Sequence, residues 1–362
     1  MRRVKFFFPI IRGGIEMRRA LIFILINILS TGYIYSIQLK KIESWKFEQT
    51  YGKQITSSFL DFSGDLIIIF KTQPVIFNKN KCLPFATFGQ GPDEITNLYT
   101  CCEYDGKLML FEDVNKIKVF KKKGNSYVWE QTIWLKREPL PFFLKAALFY
   151  KGYFFLAGMK ILNFPRPDSM DISNLQIYEE SSKNCVKNLM LETGLKPDRQ
   201  YEIERFLLPY QDYVLYLKQS EMKLHYISIQ NLEVEKTVNL ITPSFYKPMP
   251  KDFYIRKDYK GYLREYLMDL ETWATSYSAI TRAVIYKNHY LMLQIRSCSE
   301  GNGKFALLLY DLKNNCSFKD FIFLNDLLLA EKNGIIYCYS GGDPGLDNEA
   351  KETEVNIYKI IE

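Results

Sequence analysis

The stretch Asp105-Gly106-Lys107-Leu108-Met109-Leu110-Phe111, followed after four residues by Lys116-Ile117-Lys118-Val119-Phe120, decides the fold. It reads as a tight turn, an apolar strand, a second turn and another apolar strand. The same unit recurs along the chain. Second strands of this kind stand at 65–70, 107–111, 153–158, 213–218, 290–295 and 334–340, and matching third strands at 75–77, 117–120, 175–178, 224–229, 306–311 and 355–360. Most are short runs rich in β-branched and aromatic side chains bounded by turn residues, as strands require. The turns ahead of the second strands are Ser63-Gly64, Asp105-Gly106, Lys151-Gly152, Gln211-Asp212, Lys287-Asn288 and Asn333-Gly334. Gly, Asn and Asp accept the positive φ that two-residue hairpins demand.

Six repeats on a basic unit of about 40–45 residues predict an all-β fold, a six-bladed β-propeller of four-stranded antiparallel blades. The sixth unit runs out of chain after its third strand. The segment Leu39 to Thr50 belongs to no unit and alternates well enough to supply the missing outer strand, so the N-terminal strand is expected to complete the last blade. Such a closure removes an exposed sheet edge. Residues 37–362 are thus read as one propeller domain.

Composition agrees. Of 362 residues, 47% are hydrophobic and 25% charged, enough apolar surface for a large core. Aromatics reach 15%, which favours β-structure. Only two histidines occur, His225 and His289, in different blades, which argues against a multi-histidine metal site. The net charge of +7 has a local source. Six of the 48 basic and one of the 41 acidic side chains lie in residues 1–32, leaving 42 against 40. The rest lacks the concentrated basic face of a nucleic-acid binder, so none is expected as a partner. Lys121-Lys122-Lys123 is read as a solvated turn.

Arg18-Arg19 followed by the apolar run Ala20 to Leu29 and the small residues Ser30, Thr31 and Gly32 has the order of a secretory signal. Residues 1–36 are read as a signal peptide or, uncleaved, a membrane anchor, with Met17 as the true start. The chain is then exported, to the periplasm or cell envelope. Seven cysteines leave at least one unpaired. Most read as buried small hydrophobes, with a Cys298–Cys316 bridge conceivable.

The segment Phe88-Gly89-Gln90-Gly91-Pro92-Asp93-Glu94-Ile95, with the two strands that follow it, resembles an NHL-type propeller repeat. It is more similar still to the exported bacterial six-bladed β-propeller proteins of unknown function, of the NHL/TolB-like kind common in Bacteroidetes-type genomes. The match is clear over residues 60–122 and a matter of pattern elsewhere. It implies fold and export more than chemistry. Six-bladed relatives that act as lactonases or lyases hold metal-binding carboxylates, asparagines or histidines around the axis, and Asp113 with Asn115 is the compact pair here that resembles them.

Candidate sites follow from loop lengths. The turns between first and second and between third and fourth strands are short. The long segments, 159–174, 296–304, 341–354, 89–97, 193–202 and 241–276, all fall on the other connections, hence on one mouth of the axial channel. Loops on a rigid scaffold carry binding, so that face is expected to be the functional one. Gln90, Asp93, Glu94, Asp113 and Asn115 are the candidate ligand-binding residues. Glu94 has a competing structural role, accepting backbone N–H bonds that pin its loop. Asp343, Asp347, Asn348 and Glu349 are hard oxygen donors of the sort Ca²⁺ takes, but they lack the EF-hand order and read first as a solvated acidic loop, so no cofactor is expected. The insertion 241–276 contains a candidate amphipathic helix at 251–273, either a packed surface element or a lid or docking helix. No nucleophile elbow, zinc-protease pair or Cys-x-x-Cys couple occurs.

The function expected is therefore an exported, non-enzymatic propeller that binds a carbohydrate, a peptide or a protein partner on its loop-rich face. The alternatives are a metal-assisted hydrolase or lyase at the axial channel, and a cell-envelope scaffold.

Overall fold

The computed structural model describes residues 38–48, 55–70, 73–79, 81–138, 142–161, 170–192, 204–250, 268, 272, 275–296, 304–340 and 353–361. They form six four-stranded antiparallel sheets arranged in a ring, a six-bladed propeller. The first blade is β2 (Ile55–Leu60), β3 (Leu66–Phe70), β4 (Gln73–Asn78) and β5 (Lys81–Pro84), from the axis outward, and its last-in-ring neighbour contains β1 (Gln38–Phe47). The second is β6 (Thr100–Tyr104), β7 (Lys107–Phe111), β8 (Lys116–Lys123) and β9 (Ser126–Trp134). The third is β10 (Phe142–Tyr150), β11 (Tyr153–Ile161), β12 (Met170–Glu179) and β13 (Cys185–Glu192). The fourth is β14 (Arg205–Tyr210), β15 (Tyr213–Lys218), β16 (Lys223–Ser228) and β17 (Val234–Asn239). The fifth is β18 (Ile280–Tyr286), β19 (Tyr290–Arg296), β20 (Phe305–Asp311) and β21 (Ser317–Leu324). The sixth is β22 (Leu327–Lys332), β23 (Ile335–Ser340) and β24 (Thr353–Ile361), completed on the outside by β1.

The expected closure is therefore observed, with Gln38 opposite Ile361 and Phe47 opposite Thr353. The Ser44 hydroxyl reinforces it by donating to Glu354 Oε1 at 2.6 Å.

The second strand of the first blade, Leu66–Phe70, is buried along its whole length, and that of the fourth from Val214 to Lys218. Alternation then sends successive side chains to opposite neighbours. Leu66, Ile68 and Phe70 pack toward the sixth blade, whereas Ile67 and Ile69 pack toward the second. Cys101 and Cys102 divide in the same way, one toward the first blade and one toward the third. Six separate cores result, one between each pair of neighbouring blades. Positive φ occurs at all six inner turns, including Asp105 (50°) with Gly106 (72°) and Asn333 (55°) with Gly334 (81°).

The short-turn face is tied blade to blade. Lys122 of the second blade donates to Asp61 Oδ2 and Asp65 Oδ2 of the first, each at 2.5 Å, and also to the Ser63 hydroxyl. Asp61, 1% exposed, additionally accepts from the Tyr127 hydroxyl at 2.9 Å. This corrects the reading of Lys121–Lys123 as solvated. Lys121 and Lys123 are exposed, but the pleat turns the middle lysine to the other face, into the neighbouring blade. Lys151 bonds Asp212 at 2.5 Å between blades three and four, and Lys332 bonds the Asp61 and Phe62 carbonyls between blades six and one.

Cys82, Cys101, Cys102, Cys185, Cys316 and Cys338 are free thiols. The Cys316 sulfur lies 2.9 Å from the Tyr226 hydroxyl instead of in a bridge, and Cys298 lies outside the described residues. Residues 1–37, read as the export signal or anchor, also lie outside them. Among the described residues no helix is long and apolar enough to cross a membrane.

Two outcomes test this description. Trp45 packs in the core between blades six and one, 5.7 Å from the Tyr337 ring. Trp45→Ala should cost about 3–5 kcal/mol in urea unfolding, and a chain beginning at residue 48 should lose its single cooperative transition; an unchanged midpoint in either would contradict closure by β1. For Asp61, burial alone would push the carboxyl up, but bonds from Lys122, Ser63 and Tyr127 outweigh it and hold the group below the ordinary range. A depressed carboxyl contributes stability that is present above the unfolded value of about 3.9 and lost as pH falls through the folded one. Asp61→Asn should therefore be less stable by about 1–3 kcal/mol at pH 6 and should lose stability less steeply between pH 5 and 3 than the unaltered chain.

Candidate functional site

A cavity of about 500 Å³ runs along the axis and is lined by all six innermost strands. Each of these strands starts at the loop-rich end and finishes in a short turn, so sequence position gives depth. Thr56, Thr100, Lys145, Glu204, Arg205 and Arg282 mark the loop-rich end, and Glu103 and Glu331 the short-turn end. Between them lie Ser57, Ser58, Phe59, Phe206, Ala146, Leu207, Val284 and Ile285, while Leu148 and Leu329 are packed into the cores between blades.

Bulges shape the loop-rich end. The register shifts between Ile55 and Ser57, Leu144 and Ala146, Ile280 and Arg282, and Leu328 and Ala330, in four of the six inner strands. A bulge leaves its extra residue unpaired and re-aims its side chain. In the third blade that residue is Lys145. The adjacent strand accommodates it with Gly158, where a Cβ would overlap the Phe143 carbonyl.

Three cationic residues line that end. Arg205 is 3% exposed and donates Nη1 to the Glu204 carbonyl at 3.2 Å. Arg282 bonds the Thr281 carbonyl at 2.7 Å and, with Nη2, the Ile55 carbonyl at 3.0 Å, which carries its guanidinium from the fifth blade past the sixth to the first. Burial pushes the Lys145 ammonium below its usual range; the Glu204 charge opposes that and the Arg205 charge adds to it. At the far end burial pushes both Glu103 and Glu331 up. Each of these carboxylates is held by its own turn, accepting from Gly106 N at 2.9 Å and Gly334 N at 2.8 Å.

Those residues singled out in the sequence that are described lie elsewhere on the loop-rich side, and none of them lines the channel. Glu94 takes its structural role: its Oε2 accepts from Gly91 N at 2.6 Å. A Cβ at Gly89 would overlap that carboxylate, and one at Gly91 would stand 3.0 Å from it, which explains both glycines. Lys118, 2% exposed, clamps the loop from beneath by donating to the Gly91 carbonyl at 2.8 Å and to the Glu94 carbonyl. Gln90 and Asp93 are exposed on the loop's outer side. Asp113 and Asn115 belong to the β7–β8 turn, where Asp113 caps Val114 N at 2.7 Å and the Asn115 carbonyl accepts from Leu135 N. Glu112 joins turn to loop by accepting from Thr96 N at 2.6 Å and its hydroxyl at 2.9 Å. Asp343, Asp347, Asn348 and Glu349 lie outside the described residues. Among the described residues no three of His, Cys, Asp or Glu stand close enough to share a metal ion.

Both histidines are held by local contacts: His225 Nδ1 is 3.0 Å from the Thr237 hydroxyl and His289 Nδ1 is 2.7 Å from the Lys287 carbonyl. The insertion after β17 is pinned at its base, where Lys247 N donates to the Ser278 hydroxyl and Ser278 N to the Lys247 carbonyl. Phe245 packs on Phe321 and Phe323 of β21. The Thr272 hydroxyl donates to the Met268 carbonyl, a helical i−4 contact within the expected helix, whose residues 251–267, 269–271 and 273 lie outside the described set. On the opposite, short-turn face Tyr210, Tyr213 and Tyr226 line a second cavity of about 400 Å³. Tyr213 and Tyr226 meet edge to face and Lys236 covers Tyr226, so these rings are engaged with one another.

No family model matches the chain, and no curated protein matches it significantly. Solved structures do match in fold. A candidate exported protein from Bacteroides fragilis is 12% identical with a TM-score of 0.57, covering 91% of this chain and 97% of its own. A member of the DUF4221 family from Bacteroides vulgatus is 11% identical with a TM-score of 0.53, covering 90% of this chain and 99% of its own. At such identities the likeness is one of fold, and it extends over nearly the whole propeller.

The clamped loop makes a measurable claim. Gly89→Ala should cost about 1–3 kcal/mol by crowding the Glu94 carboxylate, and much less when made in a Glu94→Ala background. Equal costs in the two backgrounds, read by chemical unfolding as a double-mutant cycle, would show that the glycine is there for another reason.

Proposed function

We propose that this chain is an exported binding protein whose ligand enters the axial channel from the loop-rich face. The observation that carries the reading is the channel itself, about 500 Å³ of space walled by all six blades and reaching the end where the long connections gather. That volume lies within the roughly 300–1,000 Å³ usual for small-molecule sites. Full-length likeness to a candidate exported protein, together with Arg18-Arg19 ahead of the apolar run 20–29, supports export.

Binding without turnover is favoured by the chemistry of the wall. The two carboxylates at the far end are each committed to a turn N–H. General acid–base work wants two groups poised in opposite protonation states across a substrate. A peptide or glycan end, or a small molecule, is the ligand size the channel admits, with the surrounding loops adding contacts.

Screening the mature chain against peptide, glycan and metabolite libraries should yield ligands whose binding is weakened at least tenfold by Ala146→Phe, which narrows the channel. Turnover of ester, lactone or phosphodiester substrates that Ala146→Phe abolishes would replace this reading with an enzymatic one. Ligands indifferent to Ala146→Phe in a variant that melts normally would move the site to the outer loops.

A further inference from the structure

The bulge in β10 sends two consecutive side chains to one side of the blade. Leu144 and Ala147 pack toward the second blade, whereas Ala146 and Leu148 pack toward the fourth. The extra residue, Lys145, stands between Leu144 and Ala146 and shares the fourth-blade side with Ala146. The charges that act on it agree, since Glu204 and Arg205 both stand at the start of the fourth blade. Lys145 thus lines the cavity at its loop-rich end, in the crevice between the third and fourth inner strands. Its ammonium is half-buried and, among the described residues, makes no hydrogen bond or ion pair. Lys118, Lys122, Lys151 and Lys332 are each tied to named oxygens instead. Withdrawing an unpaired ammonium from water is costly, and here the fold gains no bond in exchange. Burial favours the neutral amine, in keeping with the lowered ammonium. A lysine desolvated in a cavity is the setting in which an amine becomes a nucleophile toward carbonyl groups.

We propose that Lys145 captures an aldehyde ligand in the channel as a reversible imine. The inference rests on the channel being the binding site and names the bond by which it holds its ligand. The Nζ lone pair attacks the carbonyl carbon and the C=O π pair moves to oxygen. A proton passes from nitrogen to that oxygen through water, giving a carbinolamine. The nitrogen lone pair then closes the C=N bond as the hydroxyl departs with a proton as water. One water leaves for each imine formed, nothing is oxidised or reduced, and water entering the channel reverses the step. Aldehydes are the class because their carbonyl carbon is less hindered and more electrophilic than that of a ketone or an ester. Capture of this kind is binding without turnover.

The test traps the imine on the mature chain. Cyanoborohydride delivers hydride to the C=N carbon and leaves a stable secondary amine that peptide mapping by mass spectrometry locates. With benzaldehyde at about pH 7, Lys145 should be labelled at least about tenfold faster than the exposed Lys121 and Lys123. Dextran aldehyde, a polymer too large for the channel, should label Lys121 and Lys123 and spare Lys145. Without reductant, benzaldehyde should bind at least about tenfold more tightly than benzyl alcohol, and Lys145→Arg, which keeps the charge but supplies no amine, should bring the two within about twofold. Labelling of Lys145 by benzaldehyde no faster than Lys121 removes the nucleophile, and equal labelling by the polymer removes the enclosure; either overturns the inference, as does equal affinity of the unaltered chain for aldehyde and alcohol. Should Lys145→Arg fail to show a normal melt, trapping and the aldehyde–alcohol comparison on the unaltered chain decide alone. Slow labelling of Lys145, while library ligands still respond to Ala146→Phe, overturns the imine and leaves the binding role standing.

Discussion

Every blade of this molecule is apolar on both faces, and that constraint governs the rest. A sheet whose second strand alternates Leu66, Ile68 and Phe70 on one side with Ile67 and Ile69 on the other cannot leave either side in water. Each buried side chain of this size is worth about 1.5–3 kcal/mol. An open row of blades would expose two such faces at its ends, and only a ring gives every face a neighbour. Closure by β1 is the last step of the same logic. It pairs the free edge of β24 and brings Trp45 into the core that joins the sixth blade to the first.

Polar groups then fix how the blades meet. Asp326 illustrates this at the closing blade: its carboxylate accepts from Asn356 Nδ2 at 2.7 Å and the Tyr358 hydroxyl at 2.6 Å, while its carbonyl accepts from Gln294 of the fifth blade at 2.8 Å. One residue thus links two blades and the strand that β1 covers. Lys122 with Asp61 and Asp65 does the same on the short-turn face. Apolar cores tolerate small slides and rotations, whereas bonds of fixed direction do not. The short-turn face is also bridged between blades by Lys122, Lys151 and Lys332.

This division explains what could be read from sequence. The second and third strands, their turns and the circular closure were legible because they depend on local pattern: period-two alternation, turn residues and the count of strands at the two chain ends. Glu94 was legible as a loop pin because Gly89, Gly91 and Glu94 lie within six residues. Its buried partner Lys118 was not, since a lysine in an alternating strand looks the same whether it meets solvent or a carbonyl. Lys122 was misjudged as one of three like charges, although the pleat separates it from Lys121 and Lys123. The channel was illegible for a deeper reason. Lys145, Arg205 and Arg282 come from three inner strands and share no motif; only the rotation of blades about the axis brings them to one end of the channel. The bulge that re-aims Lys145 adds a register change that alternation cannot reveal.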